Sequence, residues 1–320
     1  MQTLEICAGA GGQALGLEQA GFKHVAVIEI DEHCCASLRV NRPNWNVFGG
    51  GAAGDVTKFD GTPYRGQIDL LAGGIPCPPF SIAGKQLGEH DERNLFPEVL
   101  RLVEEVQPRA VMIENVPGLL SPTFDKYRAR IVNRLAELGF TCRWEKLNAS
   151  DFGVPQFRPR AVLIAIERDY FDHFYWPSSS ATPAPTVGET LADLISKNGW
   201  EGTSEWTIRA NRIAPTIVGG SKKHGGPDLG PSRAKQAWEA LGVNGHLIAD
   251  APPPSRFSGN PTLTVRMVAR LQGFPDEWQF VGKKTNAYRQ VGNAFPPPVA
   301  RAVGQQILHC LSASRLRAVG

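Results

Sequence analysis

Four side chains suited to group transfer lie in or next to segments that resemble buried strands. Cys77 lies within residues 73–81, a turn rich in glycine and proline that would hold the thiol where its thiolate could meet a ligand. Glu114 ends an apolar segment, where a carboxyl group can share a proton with a heterocycle. Arg158 and Arg160 alternate along an extended segment, so both guanidinium groups could bind a carbonyl or a phosphate from one face, or pair with acids. These residue types favour nucleophilic catalysis with electrostatic support.

A glycine-rich loop joins the first strand-like segment to a helix. Gly9, Gly11 and Gly12 allow a tight turn and a close approach to a ligand, and the helix that follows offers free N–H groups. Glu29 ends the second strand-like segment, where an acid in a βαβ unit can bind ribose hydroxyls. Asp55 could bind an adenine amino group or cap a loop. The loop departs from the G-x-G-x-x-G spacing of dinucleotide sites, which weakens a dinucleotide assignment.

Alternating apolar and helical stretches must position these groups. Strands are predicted at 3–7, 25–28, 69–72, 110–113, 141–146 and 161–166, and helices at 13–20, 32–41, 95–106 and 125–138. This alternation predicts an α/β fold with a mostly parallel, Rossmann-like sheet covered by helices. Residues 171–262 show little sustained periodicity, so a second, smaller, irregular domain is predicted at 170–284, while 289–316 return to helical spacing. The predicted division is therefore 1–169 with 285–320, and 170–284.

The composition excludes several classes of protein. The chain has 320 residues, of which 42% are hydrophobic and 20% charged, so intrinsic disorder is not expected. No apolar run reaches the roughly 18 residues that a membrane span needs, and the first residues lack the features of a signal peptide. The six cysteines form no CxxC pair, which fits a reducing cytoplasm.

Basic residues are concentrated in one part of a chain whose net charge is only +3. Residues 206–236 contain six basic side chains against the single acid Asp228, and the six are Arg209, Arg212, Lys222, Lys223, Arg233 and Lys235. Such a local excess is the pattern expected of phosphate contacts, although a solvated basic loop would have the same composition.

The order of the motifs resembles that of the DNA cytosine-5 methyltransferases of bacterial restriction–modification systems. The matching segments cover about 1–168 and 258–305. They are the loop 5–12, Glu29, Asp55, Pro76-Cys77, Glu114-Asn115-Val116, Gln156-x-Arg158-x-Arg160, Arg266-x-x-x-Arg270-Leu271-Gln272-Gly273-Phe274-Pro275 and Gln290-Val291-Gly292-Asn293-Ala294. Three positions depart from the family pattern: Cys7 replaces an aromatic residue, Ile30 a tryptophan and Pro78 a glutamine.

The resemblance implies a fold, a cofactor and a mechanism. The fold would be that of S-adenosylmethionine-dependent methyltransferases with a target-recognition domain, and no metal is implied. Cys77 would attack C6 of a flipped-out cytosine, Glu114 would contact N3, Arg160 would stabilise O2 and Arg158 would position the thiol loop or the acid. S-adenosylmethionine would be bound by Cys7, Ala8, Gly9, Gly11, Gly12, Glu29, Ile30, Asp55, Val56, Pro76, Asn293 and Ala294.

The implied partner is double-stranded DNA. By resemblance, a loop over residues 81–95 would close on the DNA, and the variable middle of the chain would read its sequence. The predicted DNA-binding residues are Ser81, Lys85, Arg93, Arg209, Arg212, Lys222, Lys223 and Arg233. The resemblance implies either the modification enzyme of a restriction system, whose endonuclease would act on the same site without a stable complex, or a solitary methylase. We expect a monomer with no membrane partner.

Three alternatives remain open from the sequence. The first is methylation of cytosine in tRNA, but the order here is Ile75-Pro76-Cys77-Pro78 rather than the Pro-Pro-Cys of the tRNA-acting branch. The second is a catalytically silent protein that binds DNA or cofactor, which the presence of Cys77, Glu114 and Arg160 disfavours. The third is a nicotinamide oxidoreductase, suggested only by the glycine loop.

Overall fold

The structure of the chain is a computed structural model that describes residues 1–76, 94–219 and 227–313. The chain divides into two compact units. The first unit comprises Met1–Leu147, Pro159–Ser178 and Val299–Gly320, and the second comprises Asn148–Arg158 and Ser179–Pro298. The catalytic domain expected at 1–169 with 285–320 and the target-recognition domain expected at 170–284 stay predictions.

A seven-stranded sheet forms the centre of the first unit. Its strands are β1 (Gln2–Ile6), β2 (Lys23–Glu29), β3 (Val47–Gly49), β4 (Leu70–Gly74), β5 (Ala110–Asn115), β6 (Phe140–Asn148) and β7 (Pro159–Glu167). The order across the sheet is β3-β2-β1-β4-β5-β7-β6. Strands β3, β2, β1, β4 and β5 pair in parallel, whereas β7 runs antiparallel to β5. The predicted α/β fold with a mostly parallel sheet is confirmed.

The strand order reverses between β1 and β4. The chain first builds outward from β1 through β2 to β3, and then continues on the other side of β1 with β4 and β5. The register pairs Ile6 of β1 with Gly73 of β4, and Gly74 of β4 with Glu114 of β5. The loops that follow these strands therefore leave from one edge, and the crevice beside such a reversal is where open α/β sheets bind ligands.

Among the described residues, five α-helices belong wholly or largely to the first unit. They are α1 (Gly12–Ala20), α2 (Glu32–Asn41), α3 (Phe96–Val106), α4 (Asp125–Glu137) and α10 (Pro297–Ala313). The apolar face predicted for α3 is buried through Val99, Leu102 and Val106, which pack with Leu71 and Val111 of the sheet. Burial of this face, rather than helix propensity, supplies most of the stability of such a helix.

In the part of the second unit that the structure describes there are five short α-helices: α5 (Val187–Ile195), α6 (Thr203–Arg209), α7 (Ser232–Ala240), α8 (Val265–Leu271) and α9 (Lys284–Asn293). The first three lie where the sequence showed little periodicity. Each has only seven to nine residues, which is too short for a periodicity test over 11–18 residues. The capping box of Thr186 and Glu189 at the start of α5 was the sequence signal that could have revealed it.

The stretch predicted at 289–316 to have helical spacing contains the end of one helix and a second helix within its described part, residues 289–313. Helix α9 ends at Asn293, and α10 begins at Pro297 after a break at residues 294–296. Prolines at 296–298 lack the N–H needed to continue a helix, but the first turn of a new helix tolerates them. Among the helices of the described ranges, none is both long and apolar enough to cross a bilayer.

Candidate active site

The predicted nucleophile lies outside the described residues. Cys77, Ser81, Lys85 and Arg93 fall in the gap at 77–93, and Lys222 and Lys223 fall in the gap at 220–226. The structure describes the residues that lead into the first of these two gaps. The Asn115 amide donates a hydrogen bond of 3.4 Å to the main-chain oxygen of Ile75, just beyond β4. The chain that leads to Cys77 is thus bonded to the end of β5.

Glu114 and Arg160 form an ion pair at the end of β5. The Glu114 Oε1 atom lies 2.8 Å from Arg160 Nε, and Glu114 is only 6% exposed. The two residues meet because β5 and β7 are antiparallel neighbours and Glu114 pairs in register with Val162, two residues after Arg160. At Gly74, a β-carbon would lie 3.3 Å from Glu114 Oε2, so this glycine leaves space beside the carboxylate. The arrangement places a proton-sharing group and a cationic donor together.

Arg158 belongs to the second unit, and its guanidinium donates to main-chain oxygens there. It is 1% exposed and bonds to Ile217, Gly292 and Ala294 at 2.6, 2.8 and 3.0 Å. Strand β7 begins only at Pro159, so the alternation expected of the two arginines does not extend to Arg158. Its bonds to carbonyl oxygens are those of an arginine that holds the fold, and its role in catalysis stays a prediction.

The segment between β1 and α1 has the backbone expected of a ligand-binding loop. Cys7, Gly9 and Gly11 adopt positive φ angles of 51°, 54° and 86°, and for the non-glycine residue Cys7 this conformation is strained. Glu29, at the end of β2, accepts hydrogen bonds of 2.7 Å from the main-chain N–H groups of Gly9 and Asp31. Burial raises the pKa of Glu29, and these hydrogen bonds partly oppose that effect. The acid predicted to bind ribose is therefore fixed against the loop.

Residues 54–56 lie beside the same end of β2. A β-carbon at Gly54 would lie 2.0 Å from the main-chain oxygen of Glu29, so only glycine fits this contact. The Asp55 carboxylate accepts hydrogen bonds from the N–H and hydroxyl of Thr57, which lower its pKa. Val56 is buried in the core. Glu29, Asp55 and the 58% exposed Ile30 thus lie in or next to the segments that meet at the end of β2, and their predicted contacts with cofactor stay predictions.

A buried acid below the glycine loop was missed by the sequence analysis. Glu5 and His24 have fully buried side chains, and Glu5 Oε2 lies 3.2 Å from His24 Nε2. Burial raises the pKa of the Glu5 carboxyl, and the hydrogen bond with His24 partly opposes that effect. Glu5 therefore links β1 and β2. Its position just before the loop was the available signal.

Four thiols outside the predicted turn are held in their protonated form. Burial raises the pKa of Cys7 above its usual range, and raises the pKa of Cys35 and Cys310 to about 11 and that of Cys142 to about 12. A thiol must be ionised to act as a nucleophile. These four are therefore unsuited to that role near neutral pH.

The final motif lies in the second unit, at the end of α9. Asn293 is exposed and close to the main chain at 219, where a β-carbon on Gly219 would lie 2.4 Å from Asn293 Oδ1. The Ala294 oxygen accepts hydrogen bonds from Arg158 and Gln272. A buried hydrogen-bond network thus joins three of the sequence motifs in this unit. The predicted contacts of Asn293 and Ala294 with cofactor stay predictions.

The basic residues of the second unit differ in their surroundings. Arg209 donates to Asn260 Oδ1 at 3.0 Å and to the main-chain oxygen of Glu239 at 2.8 Å, so it bridges elements of the fold. Lys235 forms an ion pair of 2.7 Å with Asp228. The side chains of Arg212 and Arg233 are exposed. Arg209 is exposed as well, but its guanidinium is already bonded to other parts of the fold, and Lys235 is already paired with Asp228, so Arg212 and Arg233 are better placed to contact an external phosphate.

Comparison with known proteins identifies the family. Residues 1–309 match the family model of the C-5 cytosine-specific DNA methylases. Type II methyltransferase M.NaeI of Lentzea aerocolonigenes is 54% identical over 98% of this chain and 76% of its own length. Type II methyltransferase M.NgoMIV of Neisseria gonorrhoeae is 52% identical over 97% of each chain.

Solved structures share the fold. A DNA modification methyltransferase from an E. coli prophage superimposes with a TM-score of 0.67 at 22% identity, over 98% of this chain and 99% of its own. The Dnmt2 methyltransferase of S. pombe gives a TM-score of 0.61 at 17% identity, over 99% of each chain. The sheet edge, the ordered motifs and these matches agree. The chain belongs to the C-5 cytosine-specific DNA methylase family, and it transfers the methyl group of S-adenosylmethionine to C5 of cytosine in DNA.

Proposed function

We propose that Cys77, Glu114 and Arg160 carry out the methyl transfer on a cytosine flipped out of a specific duplex sequence. The observation that carries this proposal is the ion pair of Glu114 and Arg160, 2.8 Å long, at the end of β5. The hydrogen bond from Asn115 to Ile75 brings the chain that leads to Cys77 to the same strand end.

The proposed chemistry begins with the Cys77 thiolate. Its addition to C6 of cytosine makes the ring enamine-like and nucleophilic at C5. Glu114 shares a proton with N3, and Arg160 stabilises the charge that develops at O2. Bound S-adenosylmethionine supplies an electrophilic methyl group to C5. Loss of the C5 proton and elimination of the Cys77 thiolate then release 5-methylcytosine.

The cofactor would bind at the edge where β1, β2 and β4 end. Glu29 would accept hydrogen bonds from the ribose, Asp55 would accept one from the adenine amino group, and Ile30 would pack on the ring. The main chain of the glycine loop would approach the cofactor at Cys7, Ala8, Gly9, Gly11 and Gly12. Further proposed contacts of the cofactor are Val56, Pro76, Asn293 and Ala294. The fixed Glu29 carboxylate and the close packing of Gly54 on β2 support this assignment.

Sequence recognition would belong to residues 170–284, and catalysis to 1–169 with 285–320. Arg209, Arg212, Lys222, Lys223 and Arg233 would contact DNA there, and Ser81, Lys85 and Arg93 would contact it from the catalytic part. The names of the two type II relatives support a modification role, with an endonuclease that acts on the same site without a stable complex. We place the enzyme in the cytoplasm, as a monomer.

Replacement of Cys77 tests the covalent step. C77S should lose methyl transfer and fail to form an adduct with a duplex containing 5-fluorocytosine, because a hydroxyl is a much weaker nucleophile. Its affinity for S-adenosylmethionine should stay close to that of the native enzyme. The matched control is C142S, since burial keeps that thiol protonated. Normal turnover by C77S, or an adduct on another cysteine, would contradict the assignment.

A further inference from the structure

The segment that carries Asp55 and Val56 is bonded to helix α3 through one arginine. The Arg101 guanidinium donates to the main-chain oxygen of Val56 at 2.8 Å and to that of Phe59 at 3.0 Å. Two acids of α3 orient the same group, since Glu98 and Glu105 lie 2.7 and 2.6 Å from its nitrogens. The guanidinium is thus fixed from its own helix while it holds residues 55–59 at two points.

Glu105 adds a third bond between α3 and this part of the chain. Its Oε2 atom accepts a hydrogen bond of 2.8 Å from the N–H of Gly61. At Gly61, a β-carbon would lie 2.8 Å from a methyl group of Val106, so the main chain lies directly against the helix. Residues 56–61 are therefore held against α3 by hydrogen bonds at Val56, Phe59 and Gly61.

Gly54, the residue before Asp55, joins the same segment to the end of β2. Gly54 packs on the main-chain oxygen of Glu29 so closely that no β-carbon would fit. The packing of Gly54 and the hydrogen bonds of Arg101 therefore both help to set the main-chain position of Asp55 relative to Glu29. A ligand that must reach both acids at once depends on that relative position.

We propose that Arg101 is a positioning residue for S-adenosylmethionine, which acts by fixing residues 55–59 relative to Glu29. This inference rests on the assignment, made under the proposed function, of Asp55 to the adenine and Glu29 to the ribose. Arg101 bonds to the main-chain oxygens of Val56 and Phe59, which follow Asp55 in the chain. It would therefore affect binding of the adenosine part of the cofactor by holding Asp55 in place, without touching the cofactor itself. Its loss should lower cofactor affinity and leave the chemical step intact.

The test compares R101A with the matched control R134A. Arg134 lies on α4 and pairs with Glu104 of α3 and with Glu137, so R134A also removes two ion pairs, one of them to α3, but none that involves residues 55–59. Titration calorimetry without DNA should show R101A binding S-adenosylmethionine and adenosine about tenfold more weakly than the native enzyme, as expected for the loss of charged hydrogen bonds. R134A should bind both normally. With saturating cofactor and DNA, kcat of R101A should stay within about twofold of native.

Two milder variants keep the test decisive if R101A does not fold. R101K retains the charge but cannot reach both carbonyl oxygens, so its affinity should lie between those of R101A and the native enzyme. E98Q keeps Arg101 and weakens only its orientation, so it should cause a smaller loss. Thermal unfolding would show that each variant compared is folded.

Failure of the inference and failure of the proposed function give different results. If D55A binds S-adenosylmethionine more weakly but R101A and R101K bind like R134A, Arg101 does not position the cofactor. The inference also fails if R101A loses kcat while its affinity is unchanged. If D55A itself binds like the native enzyme, the assignment of Asp55 under the proposed function is wrong.

Discussion

The carboxylate of Glu114, at the end of β5, is almost fully buried and forms an ion pair with Arg160. Arg160 Nε lies 2.8 Å from its Oε1 atom, while the glycine at 74 leaves space beside Oε2. A base edge that enters from the side of Gly74 would meet a carboxyl group whose orientation Arg160 already fixes. Preorganisation of this kind lowers the cost of stabilising charge in the transition state.

Replacement of Glu114 by glutamine should slow the chemical step. E114Q cannot share a proton with N3 and leaves the Arg160 charge without its carboxylate, so the single-turnover rate of methyl transfer should fall by roughly 10²–10⁴-fold. Rapid-quench measurement with tritiated S-adenosylmethionine would show this. E145Q, on the exposed part of β6, is the control. An unchanged rate for E114Q would remove Glu114 from the mechanism.

At the scale of elements, one arginine joins two helices of the second unit. Arg270 of α8 donates to Asp193 Oδ1 and to the main-chain oxygen of Thr190, both in α5, and it also pairs with Asp276. Hydrogen bonds to Arg270 are the first cause that lowers the pKa of both aspartates. Because the folded pKa values are lowered, this contribution to stability is present above the unfolded pKa and is lost as the pH falls through the folded values.

R270A should therefore destabilise the protein in a pH-dependent manner. At pH 7 the loss should be about 1 kcal/mol or less, since the two carboxyl groups are half exposed and screened by solvent. The difference from native should shrink as the pH falls below roughly 4, where the aspartates of the unfolded chain become protonated. Urea unfolding from pH 7 to pH 3 measures this, with the exposed Arg256→Ala as control. A difference that stays constant over this range would contradict the linkage.

At the scale of the whole molecule, the net charge of only +3 makes the position of the basic groups important for an enzyme that acts on DNA. The predicted source of attraction is the local basic excess of residues 206–236, in which Arg212 and Arg233 are exposed. The comparisons also remove two alternatives that the sequence left open, since the family consists of cytosine-5 DNA methylases rather than nicotinamide oxidoreductases or silent binding proteins. The substrate is DNA rather than tRNA.

DNA affinity should fall steeply with salt, and the slope should report individual contacts. If Arg212 and Arg233 contact phosphates, R212A and R233A should each lower the slope of log K against log salt by about 1. Fluorescence anisotropy of a labelled duplex between about 50 and 200 mM salt measures this. R134A, whose arginine is paired with two acids of the first unit, should keep the native slope. A flat salt response of the native enzyme would exclude phosphate contacts as the main source of affinity.

The sequence by itself determined the fold class, the family and the cofactor. Strands, and helices longer than about two turns, show a periodic pattern of apolar residues that can be recognised in the sequence. Glycine, proline and charged residues at the ends of strands mark the edge of the sheet where a ligand binds. That information is local, so the pattern of residues alone was enough to place β1, β2, β4, β5 and the helices between them. The short helices α5 to α7 could not be placed in this way, because seven to nine residues give too little pattern without the strand-like segments that flank the equally short α1.

Only the tertiary structure decided which of the marked residues meet. Arg158 and Arg160 are two residues apart, yet one bonds to carbonyl oxygens of the second unit and the other pairs with Glu114 in the first. The pair of Glu5 and His24 and the hydrogen bonds from Arg101 to residues 56 and 59 likewise join positions far apart in the chain. Contacts of this kind depend on strand order and helix packing, which no local pattern of residues encodes.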